Sequence, residues 1–159
     1  MDEFSQEANP RFSTTPCYVK DIKQGDVVLM KGIPVKATHV TSKTAPGKNK
    51  LVTFIIDGES VFERTKREMI VTGPLTFIDS PDNIFKSYEV VGLNGDALVL
   101  RDAETGNERS DLCLVNEAGP SWEVELSRQI KNAASSGQPL NVTVAEWYSD
   151  LKIVEVKPR

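Results

Sequence analysis

From Pro16 onward the apolar residues come in short runs and alternations, broken repeatedly by glycine, proline and asparagine. Val27-Val28-Leu29-Met30 is entered through Gly25-Asp26 and left through Lys31-Gly32. A short apolar run between turn residues reads as a strand. Residues 34–40 and 51–56 repeat that pattern, the latter rich in β-branched side chains. Asp57-Gly58 predicts a hairpin turn, with 59–64 and 68–72 continuing the meander. Gly73-Pro74, Ser80-Pro81 and Asp82-Asn83 crowd one stretch and predict an inter-domain hinge over 73–83. Within it, Leu75, Phe77 and Ile78 are apolar enough for one more strand. Several short strands at close spacing point to a small barrel.

The second half repeats the theme around a helix. Residues 85–93 and 97–102 read as strands about Asn94-Gly95, the strongest hairpin signal in the chain. Thr105-Gly106 turns again, and 109–115 is predicted as a further strand. Ser121 is the expected helix N-cap, with Pro120 before it. Trp122, Leu126, Ile130 and Ala133 or Ala134 then recur at helical spacing until Ser136-Gly137. The place of Trp122 on this stripe makes it a core residue before a ligand platform. Residues 140–145 and 151–156 close the chain as a hairpin. One helix between a third and a fourth strand is the layout of an OB-type barrel. The expected organisation is all-β: a polar, disordered arm over 1–15, one barrel over 16–80, and an OB-fold barrel with one short helix over 81–159.

The chain has 159 residues, 39% of them hydrophobic and 26% charged, enough for one medium domain or two small ones. No apolar run approaches the ~20 residues of a membrane helix, so membrane insertion is not expected. Residues 1–15 carry Asp2, Glu3 and Glu7 and no apolar stretch, unlike a secretory signal. Cys17 and Cys113, far apart, suit neither a disulfide framework nor a zinc site and read as reduced intracellular thiols. The net charge of −4 hides an asymmetry. Residues 16–80 hold 10 basic against 7 acidic side chains, whereas 81–159 hold 8 against 13. Such a chain can touch nucleic acid with one face, or dock head to tail onto copies of itself.

Catalytic chemistry is missing. His39 is the single histidine and has no nucleophile motif beside it. No Gly-rich phosphate loop is present, because Gly47-Lys48 lacks both the earlier glycine and a following Ser or Thr. No spacing selects an acid/base pair of carboxylates. The sequence therefore points to a non-enzyme without cofactor or metal. What remains is the loop 41–50, which carries Lys43, Lys48 and Lys50 and no acid. Three ammonium groups on a hairpin tip can contact phosphates, each adding salt-dependent affinity. An ordinary polar hairpin tip is the alternative.

These residues carry a resemblance. Gly25-Asp26-Val27-Val28, Lys31-Gly32-Ile33-Pro34-Val35-Lys36 and His39-Val40-Thr41-Ser42-Lys43-Thr44 resemble the translation factor 5A family, in that order. There a Gly-x-Pro-Cys-Lys segment and a Thr-Ser-Lys-Thr-Gly-Lys tip lie in an N-terminal SH3-like barrel. The pieces around Tyr88, Asn94-Gly95-Asp96, Gly137 and Val142-Thr143-Val144 resemble its C-terminal OB barrel. The resemblance spans residues 16–156 and implies an SH3-like barrel followed by an OB-fold barrel, with ribosome or RNA as partner. The family's hypusine lysine sits in Gly-Lys-His-Gly. Here Ala45-Pro46 follow Thr44, and Gly47-Lys48 is followed by Asn49-Lys50. Lys43, Thr44, Gly47, Lys48 and Lys50 form the equivalent loop, without the His-Gly context that the modifying enzyme reads.

A divergent, hypusine-lacking branch, the fungal Woronin-body major proteins, fits better, with ribosome or RNA binding as the alternative: it is similar in the Pro16-Cys17 segment, the shortened loop ending at Leu51, and Ile84 to Tyr88. That resemblance implies self-assembly into a crystalline core, within a peroxisome-derived organelle that plugs septal pores. Asp21, Lys23, Arg64, Lys66 and Arg67 are the candidate assembly contacts. Woronin-body proteins usually end in a Ser-Arg-Leu-type address. The C-terminal Lys157-Pro158-Arg159 is not one, which leaves a cytoplasmic location open.

Overall fold

The computed structural model describes residues 12–47, 51–116 and 118–159. They form two compact units, divided between Asn83 and Ile84.

In the first unit, strands β2 (Val27–Met30), β3 (Ile33–Thr44), β4 (Val52–Ser60) and β5 (Lys66–Thr72) make an antiparallel meander in that order. Strands β1 (Thr14–Tyr18) and β6 (Phe77–Pro81) pair antiparallel as a second, two-stranded sheet. A single 3-10 turn, Val19–Asp21, follows β1. The inward residues of both sheets share one core, with Val19, Val28, Val35, Ala37 and Ile56 at 1% exposure or less. Ser80 Oγ donates to the Val27 carbonyl at 2.7 Å, tying β6 to β2. This is the SH3-like barrel.

The second unit is a five-stranded sheet in the order β11-β10-β7-β8-β9, with one helix. The strands are β7 (Phe85–Asn94), β8 (Ala97–Asp102), β9 (Glu108–Arg109), β10 (Leu140–Trp147) and β11 (Asp150–Pro158). Helix α1 (Ser121–Ser136) lies between the third and fourth strands of this unit. It buries Ile130 and Ala133 against Leu98, Leu100, Val142 and Val144. This is the OB layout.

Four expectations are corrected. Asp57-Gly58 is not a turn, because both residues lie inside β4, paired with β3 and β5. Gly58 sits beside the irregularity between Ala37 and His39, and a Cβ there would stand 2.4 Å from the Lys36 carbonyl oxygen. The glycine therefore serves close backbone approach. The turn comes later, closed by Ser60 N–H to the Thr65 carbonyl, with Arg64 at φ 56. Residues 109–115 do not form one strand. The ladder stops after Arg109, whose guanidinium bonds Asp111 two residues on, and backbone pairing with β8 resumes at Leu112. Ser121 is the first helical residue and Pro120 the cap, without a side-chain cap bond. Glu123 in the first turn supplies the negative charge that helix end favours. Thr14 and Thr15, expected in the polar arm, pair with Pro81 and Ser80. Ser13 and Thr15 hydroxyls also donate to Asp82 at 2.7 and 2.6 Å.

Other elements follow the pattern closely. Helix α1 ends where Ser136-Gly137 predicted. Gly137 takes φ 73, and the Gln138 N–H reaches the Ala133 carbonyl at 2.9 Å. The 73–83 stretch contains β6, in which Phe77 and Ile78 form the strand expected within it, while Leu75 lies in the turn before. Among the described residues no helix is long and apolar enough to cross a membrane.

Candidate functional site

The far half of the β3–β4 hairpin is built differently from its near half. Strand β2 pairs only with Ile33 to Lys36 of β3. From Val40 on, β3 has β4 as its one sheet neighbour, in register from Val40–Ile56 to Thr44–Val52. Thr41, Ser42, Lys43 and Thr44 are all exposed. The hairpin narrows through the Ala45 N–H to Leu51 carbonyl bond at 2.9 Å. Gly47 at φ 114 takes a backbone conformation that L residues rarely adopt. Strand β5 runs beside β4 as far as Thr53, the partner of Lys43, so from Val40 on β3 is the exposed edge of a three-stranded sheet, with Lys43 and Thr44 at its end. Lys48 and Lys50 lie outside the described residues. His39 is an exposed strand residue opposite Asp57.

The candidate assembly contacts do not converge on that tip. Asp21 is in the 3-10 turn, and the exposed Lys23 donates its backbone N–H to the Asp26 carboxylate. Lys66 pairs across from Glu59, six residues along β4 from Thr53, the partner of Lys43. Six strand residues span about 20 Å. Arg64 lies in the adjoining turn, and Lys66 and Arg67 line a recess of about 360 Å³ with Asp57, Glu59 and Glu68.

The second unit holds a polar cluster that sequence reasoning missed. Lys86 of β7 bonds the buried Asp102 of β8 at 2.7 Å. That contact is the first cause holding the Asp102 carboxyl at about 2; backbone N–H groups of Glu104 and Thr105 add to it. Arg109 of β9 grips Asp111 and donates to the Tyr88 hydroxyl at 3.1 Å, and these contacts raise its pKa. The recess they line measures about 540 Å³. Lys86 pairs with Asp102, Arg109 with Asp111, and Glu108 with Arg101, so every charge lining the recess already has a partner. Alternation shows only that such residues face outward; nothing in sequence brings three strands' side chains together. Of the aromatic residues in this unit, Tyr88 and Trp147 are buried, while Phe85 and Tyr148 are exposed. Trp122 is half-buried, with Lys152 Nζ 5.6 Å from its ring centre. Cys17 and Cys113 are free thiols. Among the described residues no group of His, Cys, Asp and Glu is placed to hold a metal.

An SH3-like barrel followed in the chain by an OB barrel defines a translation factor 5A class of protein. A solved structure of a translation initiation factor eIF-5A family protein from Naegleria fowleri ATCC 30863 is 30% identical, with a TM-score of 0.72, over 91% of this chain and 98% of its own. Eukaryotic translation initiation factor 5A from Methanococcus jannaschii is 19% identical and shares the fold at a TM-score of 0.61, over 91% of this chain and 95% of its own. No protein-family model matches the sequence, and no curated protein does. The chain belongs to the translation initiation factor 5A family.

Proposed function

We propose that this chain is a non-catalytic factor of the 5A type that presents the tip of the β3–β4 hairpin to the phosphates of ribosomal RNA. One observation carries the reading: four consecutive exposed residues, 41–44, end a hairpin whose 41–50 segment has three lysines and no acid. Phosphate contacts position a protein without reading sequence, which suits a short lysine tip. Family membership supports the same partner. The tip lacks Gly-Lys-His-Gly, and the reading requires no modified lysine. Co-sedimentation of the purified chain with ribosomes tests it. Binding is expected for the wild type and reduced for Lys43→Ala; equal pelleting of the two contradicts it.

A second reading is self-assembly, as the structural core of a Woronin-body-like, peroxisome-derived organelle plugging septal pores. It is favoured by exposed large apolar side chains on both units, Ile70 and Leu75 on the first and Val91 and Tyr148 on the second. A lattice needs several patches per subunit, and contacts that do not close propagate. Asp21, Lys23, Arg64, Lys66 and Arg67 remain its candidate polar contacts. Analytical ultracentrifugation across salt and concentration separates the readings: large ordered particles support assembly, and a monomer or dimer throughout excludes it.

A further inference from the structure

We infer that the exposed face of the β1–β6 sheet is a stacking platform for an unpaired base of single-stranded RNA. Cross-strand partners Tyr18 and Phe77 stack with ring centres 4.4 Å apart and planes 22° from parallel. Alternation turns them outward: their neighbour Ile78 is buried in the core, whereas Tyr18 is 37% and Phe77 56% exposed. Lys20 Nζ stands 5.7 Å from the Tyr18 ring centre. The stack thus carries a cation at the tyrosine and leaves over half of the phenylalanine's surface in water. A cross-strand aromatic pair stitches two strands together, but that role needs neither the cation nor so open a ring. Aromatic faces beside cations are how proteins hold single strands without sequence preference, because every base has a π-face.

The platform stands near the lysine hairpin. Gly73 N–H bonds the Val52 carbonyl at 2.8 Å, and Val52 is the partner of Thr44. Phe77 follows four residues later, so it lies within roughly 14 Å of that point even at full extension. A short strand of RNA therefore reaches both. Lys20, Lys23 and Lys43 offer cations to its phosphates, while Asp21 and Asp79 lie nearby with the opposite sign. This charge balance puts the main discrimination in the rings. The inference rests on the reading that this unit meets RNA, yet the two can fail separately.

The test is fluorescence anisotropy of labelled oligouridylate with the full chain, over a range of salt concentrations. Phe77→Ala is expected to weaken binding about 10-fold, within the range of one lost base stack, and to leave the slope of log K against log salt unchanged. Phe77→Tyr keeps the ring and is expected to bind as wild type, which separates stacking from folding damage. Lys43→Ala is expected to flatten the slope by about 0.7. If Phe77→Ala and Tyr18→Ala both bind as wild type while Lys43→Ala still flattens the slope, the platform is overturned and the hairpin reading stands. If the wild type binds no oligouridylate, the platform also falls. If Phe77→Ala instead dissolves an oligomer in sedimentation without changing RNA affinity, a second copy covers this face and the inference is wrong.

Discussion

Asp102 is buried and still charged because Lys86 reaches it across the β7–β8 ladder. With its carboxyl held at about 2, below the ordinary ~3.9, the contact stabilises the fold at neutral pH. That contribution is lost as pH falls from about 4 toward 2, when the folded state must take up the proton. The thermal midpoint of the wild type is therefore expected to fall more steeply over that window than that of Asp102→Asn, followed by circular dichroism. Gly58 shows the opposite kind of residue, one defined by what it lacks. A methyl group there meets the Lys36 carbonyl, so Gly58→Ala is expected to cost ~1–3 kcal/mol in urea unfolding. The sequence announces this glycine but not its reason: next to Asp57 it looks like a turn, and only the third strand beside it reveals a close approach. The Lys86–Asp102 contact was likewise hidden, because its two residues are sixteen apart and adjacent only in the sheet.

At the scale of elements, the apolar pattern carried most of the information. Strands β2 and β8 have the predicted limits, and the β7–β8 hairpin turns at Gly95, with φ 65. Helix α1 was legible because its apolar stripe and its terminal glycine agree. Ile130, 1% exposed at the centre of the second core, bears that stripe's energy. Ile130→Ala is expected to destabilise the protein by ~2–5 kcal/mol, read from the denaturation midpoint. What failed was local competition. Residues 109–115 have strand composition, but the Arg109–Asp111 bond interrupts their ladder. The 3-10 turn after β1 and the Tyr18–Phe77 pairing were illegible, since β1 and β6 are separated by the whole meander.

For the whole molecule, the order of motifs along the chain revealed the two-barrel family, while individual surfaces stayed out of reach. A lysine-rich segment is visible in composition, but the exposure of residues 41–44 depends on β2 ending early and leaving the far part of β3 as a sheet edge. The proposed role is that the end of this hairpin meets RNA electrostatically. The most direct measurement is the salt dependence of ribosome affinity for the wild type and for the variant K43A/K48A/K50A. Three lost phosphate contacts are expected to flatten the log–log slope by about 2 to 3, with the unfolding midpoint unchanged. Identical slopes for the two proteins would contradict the account and turn attention to self-assembly.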